Sequence, residues 1–286
     1  MANLKEIRER ITSVNSTMQI TSAMKMVSAA KLKRAQDAIT QMRPYAEKLQ
    51  EILVNLNSSL EGENDGVYGT QREVKNVLIV AVTSNRGLCG GFNNNVIKHI
   101  NTLIAGTYAG KNVSVMGIGK KASDFFSNQG LNVIRKDELH NDLSFDNSAK
   151  IAEDIMESFV DESFDEVIVV YNKFKNAAVQ IVTTEQFLPV EAVEGESTSS
   201  TEYIYEPSKE FIVSELIPKS LKTQLYKGIL DSVASEHGAR MTAMHAATDN
   251  AGELKNDLKL TYNKARQAAI TTEILEIVAG AEALNG

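Results

Sequence analysis

The apolar residues at both ends of the chain follow the spacing of long helices. All 4 prolines lie between residues 44 and 218, so neither end contains the residue that helix interiors exclude. Near the start, apolar positions recur in alternating steps of three and four, which is the pattern of one buried helix face. These positions are Leu4, Ile7, Ile11, Val14, Met18 and Thr21. The next two steps fall on Lys25 and Ser28, which predicts that the buried face shifts there. The shifted positions are Ile20, Ala23, Val27 and Ala30.

A longer heptad pattern occupies the C-terminal end. Its positions are Leu230, Val233, His237, Arg240, Met244, Ala247, Ala251, Leu254, Leu258, Thr261, Ala265, Ala268, Thr272, Leu275 and Ala279. Sustained heptads indicate a coiled coil. One helix over residues 219–284 would be on the order of 100 Å long, longer than a single domain is wide, so part of it must project.

Small side chains dominate this heptad. Ala and Thr let two helices approach closely but bury little area, so a pair of such helices would be held weakly on its own. We therefore predict a long helical hairpin that depends on something surrounding it. The periodicity leaves open the alternative that both helices fold back on a globular core.

The middle of the chain alternates between strand and helix patterns. Strand-like runs lie at residues 74–84, 112–119, 131–135, 166–172 and 179–190, and helical stretches lie at residues 93–104, 120–129 and 147–163. Such alternation is typical of βαβ units with a mostly parallel sheet. We predict an α/β fold with three segments: an N-terminal coiled-coil helix (residues 1–58), a Rossmann-like α/β domain (73–192) inserted in the hairpin, and a C-terminal coiled-coil helix (208–286).

Composition and charge narrow the function classes. The 286 residues are 43% hydrophobic and 23% charged, with a net charge of -7, which excludes a disordered chain. The longest apolar run, residues 77–82, is too short to cross a membrane, and the charged N-terminus does not have the pattern of a secretory signal. We expect an intracellular, soluble chain. Because the middle is acidic, we expect no nucleic-acid binding there, although the basic first 48 residues could meet an acidic partner or an anionic surface.

One glycine-rich turn could carry chemistry. Its glycines, at 87, 90 and 91, fit neither the P-loop nor the dinucleotide fingerprint. They do fit a nucleophile elbow with Cys89 in place of serine, for which His140 would be the candidate base. A tight turn that needs glycine is the simpler interpretation. A second cluster, residues 117–121, is interpreted as a strand-to-helix turn.

No metal site is expected from the sequence. The four histidines, at 99, 140, 237 and 245, are scattered, and Cys89 is the single cysteine.

Three blocks of sequence resemble the gamma subunit of F-type ATP synthase. They are the opening IRERITSVNSTMQITSAMKMVSAAKLKRAQ, the loop SNRGLCGGFNNN, and the closing MTAMHAATDNAGELKNDLKLTYNKARQAAITTEILEIVAGAEAL. The resemblance implies an antiparallel coiled coil of the two terminal helices with a Rossmann-like domain at its base. It also implies a rotor shaft inside a ring of three alpha and three beta subunits, with the globular domain and epsilon standing on the c-ring.

The resemblance further implies a subunit with no catalytic residues, no cofactor and no nucleotide of its own, because ATP forms on the partner. Its implied location is peripheral, on the cytoplasmic side of the cell inner membrane. The paired-cysteine insert of chloroplast-type relatives is absent from the sequence, so no dithiol regulation is expected.

Contact residues follow from the same resemblance. Arg266, Gln267 and Thr271 match family positions that touch a beta-subunit loop, and Met24 and Lys25 match the position that faces the acidic beta lever. The alternative for Lys25 and Arg266 is a solvated charge on the coil.

A segment near residue 205 resembles the foot that touches the c-ring. Its candidate contacts are Tyr203, Tyr205 and Glu206. An edge strand is the alternative interpretation of this segment.

Two alternatives to a rotary stalk remain at this point. One is a cysteine-dependent α/β hydrolase, which would lose turnover on Cys89→Ala, whereas a rotor would tolerate the change. The other is a coiled-coil scaffold without rotation. Deleting about the last ten residues should stop a scaffold from assembling but should leave a rotor assembled with weaker coupling.

Overall fold

The computed structural model describes residues 4–59, 66–190 and 209–285. The elements are α1 (Leu4–Ser59), α2 (Gly66–Gly69), β1 (Asn76–Val82), α3 (Phe92–Ala105), β2 (Asn112–Ile118), α4 (Lys120–Asn128), β3 (Asn132–Arg135), a 3-10 helix (Asp137–Asn141), α5 (Phe145–Val160), β4 (Glu166–Phe174), β5 (Gln180–Leu188) and α6 (Lys209–Asn285). Every strand and helix expected from the sequence is present. Among the described residues, no helix combines the length and the apolar composition that crossing a membrane requires.

The five strands form one sheet in the order β3-β2-β1-β4-β5. Neighbouring strands are parallel except for β4 and β5, which form an antiparallel pair. The central strand β1 is apolar and fully buried from Val77 to Val82, as expected for a parallel strand covered on both faces. The predicted mostly parallel sheet is confirmed.

Helices cover both faces of this sheet. One face packs against α3 and α4 through residues such as Ile100 and Phe126. The other packs against α5 and against the first half of α6, where Leu221, Leu225 and Ile229 are buried. These α6 residues are part of the core of the α/β fold, so α6 is more than a coil helix.

The chain divides into two compact units. One contains α1 as far as Ser28 together with α6 from Met241, and the other contains residues 29–240. In the first unit the two helices are antiparallel: as the residue number in α1 increases, the number of the residue that it contacts in α6 decreases. The contacts are Arg8 with Tyr262, Asn15 with Lys255, and Thr21 with Thr248.

The predicted shift of the α1 seam is wrong. The original spacing continues, with Thr21 and Ser28 buried, whereas Ile20 and Val27 are 60% and 57% exposed; Ala23 and Ala30 are exposed as well. Ser28 can be buried because its Oγ donates to the Met24 carbonyl at 2.8 Å.

The predicted α6 seam is wrong at two positions before Ala265, and its positions from Ala268 to Ala279 are all exposed. Met244 and Ala251 are buried as predicted, but Leu254 is 50% exposed and Thr261 is exposed. The neighbouring residues Lys255 and Tyr262 take those places, because their long side chains carry a polar end that reaches α1.

Candidate functional site

Three of the predicted beta-contact residues lie on a solvent-exposed end of α6. Every residue from Arg266 to Ala283 is exposed. Five large apolar side chains in this stretch are between 48% and 66% exposed: Ile270, Ile274, Leu275, Ile277 and Val278. Thr271 donates its hydroxyl to the Gln267 carbonyl at 2.9 Å, so the helix already occupies that donor. This end of α6 therefore presents a mostly apolar surface with Arg266 and Gln267 at its start.

The register of the helix pair explains where the exposure begins. The contact between Arg8 Nη2 and the Tyr262 hydroxyl, at 3.0 Å, lies about one turn from Leu4, the first described residue of α1. Extending that register places Leu4 opposite Arg266. The described part of α1 thus covers α6 up to Arg266 and leaves the apolar stretch beyond it uncovered.

Met24 and Lys25 form a separate group. Both side chains are half-buried on α1, and the 2.8 Å contact between the Thr21 and Thr248 hydroxyls fixes their level along the pair. This level is about 20 residues from the Arg266 level, which corresponds to roughly 30 Å along the helices. The structure therefore does not bring the two groups of predicted contact residues together. The predicted c-ring residues Tyr203, Tyr205 and Glu206 lie outside the described residues.

The environment of Cys89 contradicts the hydrolase alternative. The thiol is 2% exposed, and Asn93 Nδ2 donates to its Sγ at 3.2 Å. The candidate base His140 instead contacts the Thr83 carbonyl through Nε2 at 2.8 Å. In a nucleophile elbow the nucleophile stands exposed on the turn, whereas here the thiol is packed inside the loop. Cys89 is a small buried residue, and the hydrolase is not supported.

The second glycine cluster is the predicted strand-to-helix turn. Gly119 has a φ of 123°, and the first N–H groups of α4 are taken by the chain itself. Lys120 N donates to Asn85 Oδ1 at 2.9 Å, and Ala122 N donates to Thr83 Oγ1 at 3.0 Å. A phosphate at a helix N-terminus needs such donors to be free, so this turn is structural.

Arg240 forms a contact that the sequence patterns missed. Its Nη2 donates to the carbonyls of Arg86 and Gly87, both at 3.2 Å, and its Nη1 pairs with Glu236 one turn earlier in α6. Arg240 and Glu236 are each only 8% exposed. The heptad pattern placed Arg240 in the coil seam. Its guanidinium instead fastens the glycine-rich loop after β1 to α6.

The polarity of this contact agrees with the absence of a phosphate-binding motif from the loop after β1. Phosphate loops point backbone N–H groups at their ligand, whereas the loop after β1 points carbonyl oxygens at a cation. In a doubly wound sheet, ligands bind beyond the carboxyl ends of the strands where the strand order reverses, here between β1 and β4. Residues 235–240 of α6 occupy that position, since Ser235 Oγ donates to the Asn172 carbonyl at 2.9 Å and Gly238 packs against Ala177.

His237 is held neutral beside this contact. Burial lowers its pKa from 6.5 to about 4, and the charge of Glu236 opposes that shift while Arg240 reinforces it. A neutral imidazole next to the guanidinium adds no further positive charge to the buried cluster.

Comparison with known proteins agrees with this architecture. A family model described as ATP synthase matches residues 3–284. Curated ATP synthase gamma chains of Flavobacterium johnsoniae and Flavobacterium psychrophilum are 67% and 65% identical, each over the full length of both chains.

Solved structures share the fold. A chain of the Tetrahymena thermophila mitochondrial ATP synthase central stalk and c-ring is 26% identical, covers 80% of this chain and 99% of its own length, and has a TM-score of 0.59. A chain of the Euglena gracilis mitochondrial ATP synthase, in an assembly of OSCP, F1 and c-ring, is 22% identical, covers 98% and 94%, and has a TM-score of 0.69. With the full-length match to the family model and two relatives above 60% identity, the chain belongs to the family of ATP synthase gamma chains.

Proposed function

We propose that the chain is the central rotor stalk of a rotary ATP synthase, coupling ion-driven rotation of a c-ring to ATP synthesis and hydrolysis at beta subunits. The observation that carries this proposal is the exposed apolar end of α6. A run of large apolar side chains that α1 leaves uncovered marks a surface that a partner encloses. For a gamma chain, the partner that would enclose this surface is the ring of alpha and beta subunits.

The chemistry of this end suits a turning contact. Apolar contacts are non-directional, so they do not favour one angle of the helix over another. Hydrogen bonds and ion pairs do depend on direction, and Arg266 and Gln267 supply them at the start of the exposed stretch. The apolar end of α6 can therefore turn inside the enclosing subunits, while Arg266 and Gln267 make contacts that differ from one rotor angle to the next.

Coupling requires that these contacts differ between rotor angles. A shaft can change the affinity of a beta site only by the difference in its contact free energy with the two states of that site. We propose Arg266, Gln267 and Thr271 as one level of such contacts, and Met24 and Lys25 as a second level roughly 30 Å away along the helices.

The remaining partners follow from the family. The α/β domain would stand on the c-ring with epsilon, using Tyr203, Tyr205 and Glu206. The chain would be a peripheral subunit on the cytoplasmic side of the membrane. Bond chemistry would take place on the beta subunits, because α6 fills the position where a doubly wound fold binds its ligand.

Charge reversal at Arg266 tests the proposed contact. The variant Arg266→Glu, in the enzyme complex purified from membranes, should lower ATP turnover about fivefold or more, the range of ordinary coupling free energies. Lys264→Glu is the matched control, since Lys264 is exposed two residues away on the same helix. Unchanged turnover in Arg266→Glu, in a complex that contains the chain, would remove Arg266 from the interface. Failure of the chain to co-purify with alpha and beta subunits would contradict the stalk itself.

A further inference from the structure

One short stretch of α6 is bound by a loop and a strand of the sheet. Arg240 donates to the Arg86 and Gly87 carbonyls in the loop after β1. On the other side, Ser235 donates to the Asn172 carbonyl near the end of β4. We call residues 235–240 together with these carbonyls the clamp.

The clamp is tightly packed as well as hydrogen-bonded. A Cβ atom added at Gly238 would lie 3.1 Å from the Ala177 Cα and 3.4 Å from Phe174, so the helix backbone lies directly against the β4–β5 connection. Asn172 also donates through Nδ2 to the Phe92 carbonyl at 3.2 Å, which ties β4 to the start of α3. The Asn172 carbonyl therefore belongs to a strand that is itself held in place.

The clamp differs from the other contacts of α6 with the sheet in its buried charge. Gln224 Nε2 also donates to the Gln186 carbonyl of β5, at 3.0 Å, but through a neutral amide. Leu221, Leu225 and Ile229 pack on the sheet face through apolar groups alone, and such contacts have no preferred direction. The Arg240 guanidinium is a rigid planar fork whose bonds hold only in one orientation. Turning α6 about its own axis would break these bonds and expose a buried ion pair.

We propose that the clamp is the torque-bearing joint of the rotor, at which Arg240 is the positioning residue that locks the rotation of α6 to the α/β domain. This proposal rests on the proposed stalk function. Glu236 pairs with the guanidinium from one turn away on the same helix, and this pairing holds the fork in the orientation that contacts the loop. Torque applied to the α/β domain then passes into α6 at residues 235–240.

Torsional stiffness of the assembled enzyme is the property that tests this. With the alpha–beta ring fixed to a surface and rotation paused, a rod attached to the α/β domain reports the angular variance of the rotor. The rod can be attached selectively at Lys98→Cys, because Lys98 is exposed and the native Cys89 is buried. A softer joint gives a larger variance.

The test variants remove the fork in two ways. Glu236→Gln/Arg240→Met removes both charges and keeps the side-chain volume, so no unpaired buried charge remains. Arg240→Lys keeps the ion pair but replaces the fork with a single charged point. The matched control is Glu215→Gln/Lys219→Met, an ion pair with the same spacing that is exposed on the same helix.

Both clamp variants should hydrolyse ATP without load at the parent rate and show a larger angular variance, while the control keeps the parent variance. A parent variance in Arg240→Lys and in the double variant would overturn the clamp as the joint, as would an equal increase in the control. If the double variant does not assemble, Arg240→Lys alone decides. If the unmodified complex turns over ATP but does not rotate at all, the proposed stalk function fails instead.

Discussion

At the scale of single residues, Gly119 shows how a backbone position becomes obligatory. Its φ of 123° is rarely adopted by residues with a side chain, and an added Cβ would lie 2.0 Å from the Thr83 carbonyl oxygen. Because that oxygen belongs to the backbone next to β1, it cannot move aside cheaply.

Gly119→Ala should therefore lower the free energy of unfolding by more than about 3 kcal/mol, combining strain with overpacking. Chemical denaturation of the purified chain measures this. Gly130→Ala is the control, because its φ is 81° but no atom lies within 4 Å of the added Cβ; it should cost only about 1 kcal/mol. Equal losses in the two variants would mean that the Thr83 contact does not matter.

His237 makes the stability of the fold depend on pH. Its pKa is about 4 in the folded chain against 6.5 for the free side chain. Between these values the unfolded chain binds more protons, so this residue makes the fold less stable as pH falls from about 6.5 towards 4. Burial raises the pKa of Asp231, which acts in the opposite direction, so only a comparison of variants isolates the histidine.

His237→Gln should flatten the loss of unfolding free energy between pH 6.5 and pH 4, measured by denaturation at each pH. The same slope in His237→Gln as in the parent would show that the imidazole is not held neutral by burial.

Residue-level errors in the sequence interpretation have one physical cause. Lys255 is missed as a contact residue because the pattern counts charged residues as solvent-facing, and Arg240 is assigned to the coil seam although its guanidinium contacts a loop. Both bury an aliphatic stem and place a polar end on a specific acceptor. The Arg240 guanidinium and the Arg86 carbonyl that it contacts are 154 positions apart in the sequence. The spacing of residues within α6 therefore could not predict this contact.

At the scale of elements, polar contacts join the two helices of the first unit at several levels. Thr21 Oγ1 and Thr248 Oγ1 are 2.8 Å apart, and Lys255 Nζ donates to Asn15 Oδ1 at 2.6 Å. Hydroxyl and amide groups of this size allow close approach at a small burial of apolar area. Because the two helices would turn as one body, locking them together should not impede a rotor.

A disulfide across this pair tests that consequence. The variant Thr21→Cys/Thr248→Cys places two sulfur atoms at positions now occupied by hydrogen-bonded hydroxyls, which is within the reach of a disulfide. In the assembled enzyme, ATP turnover should be the same after oxidation as after reduction. Reduced Thr21→Cys/Thr248→Cys and oxidised parent serve as controls. Inhibition that appears only on oxidation and reverses on reduction would mean that the helices must move against each other.

The elements themselves were largely predictable from the sequence. The run at β1 is continuously apolar because the strand is covered on both faces. The start of α5 is marked by Ser144, whose Oγ accepts from the Asn147 N–H at 3.3 Å. The role of α6 was not predictable in the same way. Its first half alternates between heptad positions and core positions such as Leu225, because it packs on a sheet rather than on one helix.

At the scale of the whole molecule, the chain contains an α/β unit and a pair of helices in which α6 is exposed from Arg266 to Ala283. A net charge of -7 does not show where a partner binds, whereas the uncovered apolar side chains of α6 do mark such a surface. The fold class could be predicted from periodicity and the family from three sequence blocks. The contact residues could not be tested from the chain alone, because their partners are other chains.

Direct observation of rotation shows whether the chain is a rotor. The chain would be assembled with the alpha and beta subunits, the ring fixed to a surface, and a rod attached at Lys98→Cys on the α/β unit. On addition of ATP, the rod should turn in one direction, in steps that follow hydrolysis. ATP hydrolysis by the same complex with a rod that stays still would show that the chain is not a rotor.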